Sequence, residues 1–211
     1  MKKQSSIIVF LWFLVIEAVV ILTLIPGDRT EKIINEEHYV IGNSFSKDTN
    51  DWIFGKAREW YQSSIIDSGL YEGTRDVLIP TDEQKKRSRG MENMGGWWFK
   101  WVDGRIDAVA NIIFQFYVRV AIMIMWAPYM LVLLAPAIFD GLMTWKIKKA
   151  TFAYSSPLLH QYSLRYVGVT AAVALLATFA PIVINVSIIP LVLMSVCVMI
   201  GIAAGNMQKR I

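Results

Sequence analysis

Few side chains in this sequence have the chemistry for a reactive site, and the most conspicuous ones lie in apolar surroundings. Glu17 is the one ionisable residue in the apolar run from Ile7 to Ile25, and Cys197 lies between two valines. A carboxylate in the middle of a lipid-compatible segment is costly unless it is protonated, paired or hydrated. We therefore expect Glu17 to face other helices, either as a neutral acid bonded to a backbone carbonyl or compensated by Arg119. Cys197 is expected to be an inert small hydrophobe.

A second set of polar residues recurs every four positions: Asp107, Asn111, Gln115 and Arg119. Because four residues advance about 400° around a helix, they form a slowly drifting polar stripe. This pattern predicts an amphipathic helix that follows the membrane interface before Val120 enters the bilayer. The stripe needs a polar neighbour, which could be water, lipid headgroups or protein. Arg119 is expected to extend its guanidinium toward the interface.

Catalytic motifs are missing from the sequence. It contains no phosphate-binding glycine loop of the P-loop or dinucleotide type, no H-E-x-x-H and no G-x-S-x-G. The two histidines, His38 and His160, are expected on opposite sides of a membrane and so cannot share a metal ion. We expect no enzymatic activity, no cofactor and no metal site.

The composition is typical of a membrane protein. The 211 residues are 55% hydrophobic and 18% charged, and the mean hydropathy is +0.44. These values exclude a disordered chain, a disulfide-rich scaffold and an ordinary soluble domain. The formal charge of +4 is divided among short loops, so direct nucleic-acid binding is not expected.

The apolar runs predict an all-α polytopic membrane protein with four transmembrane helices and a helical extracytoplasmic segment between the first and the second. Pro128 and Pro136 are expected to kink the second span. The predicted order is a tail at 1–6, the first transmembrane helix at 7–26, the extracytoplasmic segment at 27–104, a long helix with the second transmembrane helix at 105–145, a loop at 146–166, the third and fourth transmembrane helices at 167–186 and 187–205, and a tail at 206–211.

Basic residues indicate the orientation of these spans. The tails and the 146–166 loop carry eight lysines and arginines, and we place Asp140 at the membrane border. Such segments stay in the cytoplasm, whereas a segment as long as 27–104 crosses the membrane largely regardless of its charge. A multi-pass protein of the bacterial inner membrane with both termini in the cytoplasm is therefore expected.

The extracytoplasmic segment is predicted to be helical. Short helices are expected around Thr30 to Tyr39 and from Pro80-Thr81 into the basic cluster at 85–89, which we interpret as a solvated surface. Between them, Thr49-Asn50-Asp51 could cap an amphipathic helix that ends at Ser68-Gly69. Trp97, Trp98 and Trp101 are expected to anchor the chain at the headgroup level.

Small residues mark the last two spans. Gly201 and Gly205 form a small-xxx-small pattern in the fourth span, which favours close helix packing. The sequence leaves open whether the neighbouring span or a second copy of the chain packs there. It therefore also leaves open a homo-oligomer.

The second half of the chain resembles a family of inner-membrane proteins of conjugative plasmids and integrating conjugative elements, often described only as a domain of unknown function. The similar features are Trp97-Trp98, Arg105-Ile106-Asp107, Arg119, the run from Ala127-Pro128-Tyr129 to Phe139-Asp140-Gly141-Leu142, and Trp145-Lys146-Ile147-Lys148. The resemblance implies a TraJ-like partner of the type IV coupling protein, the membrane ATPase that delivers DNA to the secretion channel. We therefore expect a scaffold subunit of a type IV secretion system. The subunit would lie among membrane lipids and assemble with this ATPase.

Two other functions remain open from the sequence. Glu17, Arg119 and the proline-containing second span are also features of a small transporter or a proton-conducting protein. The extracytoplasmic segment is compatible with an exclusion or immunity-type membrane protein.

Overall fold

The computed structural model describes residues 2–25, 27–80 and 96–207, and within these ranges it contains helices and no strands. The predicted all-α fold is therefore confirmed. The elements are α1 (Lys2–Leu24), α2 (Gly27–Ser44), α3 (Lys47–Tyr61), a π-helix (Gln62–Ile66), α4 (Leu70–Leu78), α5 (Gly96–Ala150), α6 (Pro157–Phe179) and α7 (Ile188–Gly205). Pro80 is described and is not helical, whereas Thr81, the rest of the helix predicted from Pro80-Thr81 and the basic cluster lie outside the described residues.

Three helices are long and apolar enough to cross a membrane, namely α5, α6 and α7. A fourth span is obtained if the apolar run Ile8–Thr23 is taken together with α2 across the bend between them. Three or four spans, judged by length and composition, indicate that the protein associates with a membrane.

The long helix extends beyond its predicted limits of 105–145, because α5 runs from Gly96 to Ala150. The Trp-rich stretch at its start contains no helix breaker. Pro128 and Pro136 lie inside the helix without ending it. Proline is tolerated in membrane helices where neighbouring groups satisfy the freed backbone carbonyls.

The third predicted span, 167–186, differs most from the structure, in which α6 covers Pro157–Phe179. Pro157 is favourable in the first turn of a helix, and the Ser156 hydroxyl accepts a hydrogen bond from the Leu159 N–H at 3.3 Å. At the other end, Pro181 disfavours helical backbone at Ala180. The predicted 146–166 loop is consequently reduced to residues 151–156, and residues 180–187 connect α6 to α7.

Helix α3 starts earlier than its predicted cap. Its N-cap is Ser46, whose side chain accepts a hydrogen bond from the Thr49 N–H at 3.4 Å. Thr49, Asn50 and Asp51 thus lie inside the helix. Helix α3 ends at Tyr61, earlier than the predicted stop at Ser68-Gly69, and the π-helix continues the helical backbone to Ile66. Gly69 adopts the expected left-handed conformation, with a φ of 71°, before α4.

Replacement of Gly69 by alanine is expected to lower the free energy of unfolding by about 1 kcal/mol, since a Cβ is unfavourable in the left-handed region. An added Cβ at Gly69 meets nothing within 4 Å, so the cost is one of backbone conformation alone. Denaturation by SDS in mixed micelles measures the change. The control is Gly73→Ala in α4, where space is also open and alanine favours the helix. Equal effects of the two substitutions would contradict the prediction.

The chain forms two compact units. The first contains the residues up to Ala121 together with Thr178–Val183, and the second contains Ile122–Ala177 and the residues from Ile184. Ile41, Ile53 and Ala57 are fully buried in the first unit. In the second unit, Cys197 is 2% exposed, as expected for a small hydrophobe.

Candidate functional site

The polar stripe of α5 contacts protein, because each of its four residues bonds to a side chain of α2 or α4. Tyr71 Oη donates to Asp107 Oδ1 at 2.9 Å. Asn111 Nδ2 donates to Thr30 Oγ1 at 3.4 Å, and Gln115 Nε2 donates to Glu37 Oε2. We call this set, with Arg119, the polar seam: Thr30, Glu37, Tyr71, Asp107, Asn111, Gln115 and Arg119. The seam joins the segment after α1 to the long helix.

Arg119 and Glu37 form a buried ion pair at one end of the seam. Arg119 Nε lies 2.9 Å from Glu37 Oε1, and Nη2 lies 2.7 Å from Oε2. Both side chains are 3% exposed. The expectation that Arg119 reaches out to the interface is thus replaced by a bidentate internal pair, a geometry that suits the planar guanidinium.

The remaining Arg119 hydrogens bind backbone carbonyls in the last turn of α6 and just after it. Nη1 donates to the carbonyls of Ala180 at 2.8 Å and Thr178 at 3.3 Å, and Nη2 donates to the Ile182 carbonyl at 2.5 Å. The last carbonyls of a helix lack intrahelical partners and attract positive charge. Arg119 therefore caps the end of α6 while Glu37 compensates its charge.

Glu17 makes no hydrogen bond to this cluster among the described residues. Its Oε2 is buried and has no hydrogen-bond partner within the described part of the chain. The hypothesis of compensation by Arg119 is not matched by a hydrogen bond, because the guanidinium donates to Glu37 and to backbone carbonyls instead.

Glu37 is the charged residue of the polar seam that the sequence pattern did not single out. It follows Glu36 in a helix of low hydrophobicity, where a second carboxylate looks like part of a solvated surface. The buried residues of α2 are nevertheless Thr30, Ile34, Glu37 and Ile41. These spacings of three and four define one helix face, so the signal was the position of Glu37 on the face that carries Ile34 and Ile41.

Burial and hydrogen bonding also affect the end of the seam at Tyr71 and Asp107. The hydrogen bond from Tyr71 to Asp107 raises the pKa of the Tyr71 phenol, and burial raises it further. The phenol therefore stays protonated and keeps its role as the donor in this pair. No cluster of three or more potential metal ligands occurs among the residues that the structure describes.

Comparison with known protein families identifies the relationship. The model of the DtrJ-like family, IncC plasmid conjugative DNA transfer proteins, matches residues 24–210. The chain belongs to this family. No curated protein and no solved structure matches it. The predicted membership of a conjugative transfer family is thus confirmed, and the DtrJ-like chain has a role in plasmid conjugation.

Three of the eight tryptophans of the DtrJ-like chain lie in the first turns of α5. Trp97, Trp98 and Trp101 are 71%, 48% and 38% exposed. The rings of Trp98 and Trp101 stack at 5.1 Å, and the Arg105 guanidinium lies 4.9 Å from the centre of the Trp101 ring. Exposed indoles beside an apolar helix have the character of a headgroup-level anchor, and that role stays a prediction.

The small residues of α7 pack against α5 of the same chain, in the second unit. A Cβ added at Gly201 would lie 2.8 Å from the Ala137 carbonyl oxygen, and one added at Gly205 would lie 3.4 Å from Thr144 Cγ2. The partner is thus α5, whereas the sequence suggested the neighbouring span or a second copy. Lys148 Nζ also donates to the Gly205 carbonyl at 3.1 Å and to Asn206 Oδ1 at 2.9 Å.

Proposed function

We propose that the DtrJ-like chain is a non-enzymatic scaffold of the bacterial inner membrane that assembles with the coupling ATPase of a type IV secretion system. Membership of the DtrJ-like family supports a role of the chain in conjugative DNA transfer. The ATPase supplies nucleotide hydrolysis, for which this sequence carries no motif. Both termini lie in the cytoplasm in this proposal, where such an ATPase would have its motor domain.

The observation that carries the proposal is the exposure of the candidate spans. Only 6%, 11% and 17% of the residues in the most apolar windows of α5, α6 and α7 are buried within the chain. Val132 in α5 is 73% exposed and Val173 in α6 is 58% exposed. Membrane helices associate through close packing of such surfaces, so the spans have ample area for a partner's helices as well as for lipid.

The polar groups favour a scaffold over the transporter alternative. Arg119, one of the residues that suggested transport, is held by Glu37 and by backbone carbonyls of Thr178, Ala180 and Ile182. A residue with these bonds supports the fold and is not free to carry a substrate or a proton.

The test is recovery of the ATPase with the tagged chain, solubilised in mild detergent from donor cells that carry the complete transfer system. We expect the ATPase to co-purify. Tryptophan is introduced singly at exposed span positions, including Val132→Trp, Val173→Trp and Val198→Trp. A substitution that lies on the face that binds the ATPase is expected to reduce recovery of the ATPase at least tenfold. Matched substitutions on the other faces serve as controls.

Each variant also has its thermal unfolding midpoint measured, which separates loss of partner binding from loss of fold. Recovery of the intact chain without any ATPase would count against the proposal. So would equal recovery with every variant.

A further inference from the structure

The first unit contains an apolar cavity. It lies between the end of α1, the π-helix with α4, and the part of α5 from Trp101 to Ile113. Its volume is about 530 Å³, within the range of sites that bind small ligands. Aliphatic side chains form most of its wall, among them Leu22, Ile65, Leu70, Leu78, Val109 and Ile113. Such a wall suits a hydrocarbon chain.

One cation, Arg105, also lines this cavity. Its Nη1 atom is buried and has no hydrogen-bond partner among the described residues. The guanidinium lies over the Trp101 ring, at 4.9 Å from its centre. A buried donor without an acceptor is unfavourable, so an incoming acceptor at Arg105 would gain a strong hydrogen bond.

The acidic residues nearest to Arg105 in the sequence are bound to other groups. Asp103 forms an ion pair with Arg75 at 3.0 Å, and Asp107 accepts the hydrogen bond of Tyr71 at 2.9 Å. Arg105 itself makes no ion pair within the part of the chain that the structure describes. Among the described residues, no carboxylate pairs with the positive charge beside the cavity, which can therefore bind an incoming anion.

We propose that the cavity binds one acyl chain of a membrane phospholipid, whose phosphate is bound by Arg105. The guanidinium pairs well with a phosphate because its planar donors match two phosphate oxygens. The exposed indoles of Trp97, Trp98 and Trp101 precede Arg105 by up to two helical turns, and such residues favour the depth at which phosphates lie. The apolar wall thus suits the acyl chain of a phospholipid, and the Arg105 cation suits its phosphate.

This site is independent of the proposed partnership with the coupling ATPase. Since Arg105 is the only charged residue of the described cavity wall, it recognises the phosphate and not the group attached to it. Phosphatidylglycerol and phosphatidylcholine are accordingly expected to bind alike, and diacylglycerol, which has the same chains but no phosphate, is expected to bind weakly.

Native mass spectrometry of the full chain in mild detergent tests the proposal, with each lipid titrated separately. We expect phosphatidylglycerol to be retained about tenfold better than diacylglycerol, the ratio typical of a charge-assisted hydrogen bond. Arg105→Gln is expected to remove that preference, and Arg105→Lys is expected to keep part of it.

A second variant tests the cavity itself. Ala110→Trp fills space at the wall and is expected to reduce retention of both lipids, whereas Leu131→Trp, at an exposed α5 position, is expected to leave retention unchanged. Unfolding midpoints measured in parallel show that the variants are folded.

Three results would overturn the proposal. In the first, Arg105→Gln retains phosphatidylglycerol as well as the unchanged chain does. In the second, Ala110→Trp and Leu131→Trp behave alike, which would mean that the lipid lies on the general surface of the spans. In the third, diacylglycerol binds as tightly as phosphatidylglycerol, which would make the cavity a purely apolar site.

Discussion

Replacement of Glu37 by alanine is expected to lower the free energy of unfolding by about 3–5 kcal/mol, because it leaves the buried charge of Arg119 without compensation. Arg119 and Glu37 are each 3% exposed, so water cannot replace the lost partner without opening the seam. Gln115, which donates to the same carboxylate, would lose its acceptor as well. Denaturation by SDS in mixed micelles measures the effect.

The chain offers a matched control for this ion pair. Lys56 and Glu59 form a pair at 2.7 Å, but their side chains are 40% and 63% exposed. Glu59→Ala is expected to cost less than about 1 kcal/mol, as exposed pairs generally do. If Glu37→Ala cost no more than Glu59→Ala, the Arg119 pair would not be a structural centre of the first unit.

Two further variants separate the charge from the hydrogen bonds. Glu37→Gln preserves the side-chain shape and is expected to destabilise less than Glu37→Ala. The double variant Glu37→Leu with Arg119→Met removes both charges, a change that is often neutral for buried pairs. Here it is expected to remain destabilising, because the carbonyls of Thr178, Ala180 and Ile182 lose their donor.

Replacement of Gly141 by valine is expected to lower the free energy of unfolding by about 3 kcal/mol, the upper part of the range for overpacked sites. A Cβ at Gly141 would overlap the carbonyl oxygen of Gly201 and lie 2.8 Å from Ala204 Cβ. Both obstacles are rigid parts of α7, so α5 and α7 must separate in the second unit. Alanine at the same position is expected to have a smaller effect of the same sign.

Gly168 in α6 provides the control, because a Cβ there meets nothing within 4 Å. Gly168→Ala is expected to be neutral or stabilising, by up to about 1 kcal/mol, since alanine favours helix more than glycine does. SDS denaturation and the yield of monodisperse protein in detergent are the measurements. A stable Gly141→Val variant would show that α5 and α7 do not pack this closely.

The helical fold was predictable because apolar runs of bilayer length admit few alternatives to helices. The polar stripe was equally visible, since Asp107, Asn111, Gln115 and Arg119 recur at the spacing of one helix face. The partners of the stripe were not predictable. A periodic pattern shows that a neighbour is required, but Thr30, Glu37 and Tyr71 come from segments 36 to 82 residues distant along the chain.

The ends of the helices were less predictable than their existence. Hydropathy placed the third span at 167–186, whereas the helix starts at Pro157 and ends at Phe179. The start depends on local capping at Ser156, which a hydropathy pattern does not register. The packing of Gly201 on α5 was not predictable either, because several apolar helices of similar composition could have been its neighbour.

The placement of residues 178–183 within the first unit has a consequence for biosynthesis. These residues accept the hydrogen bonds of Arg119, yet the ribosome makes them long after α2 and most of α5. The hydrogen bonds of Arg119 in the amino-terminal half are therefore completed only after residues 178–183 have been synthesised. A nascent chain that has not yet reached residue 178 holds Arg119 through Glu37 but lacks these carbonyl acceptors.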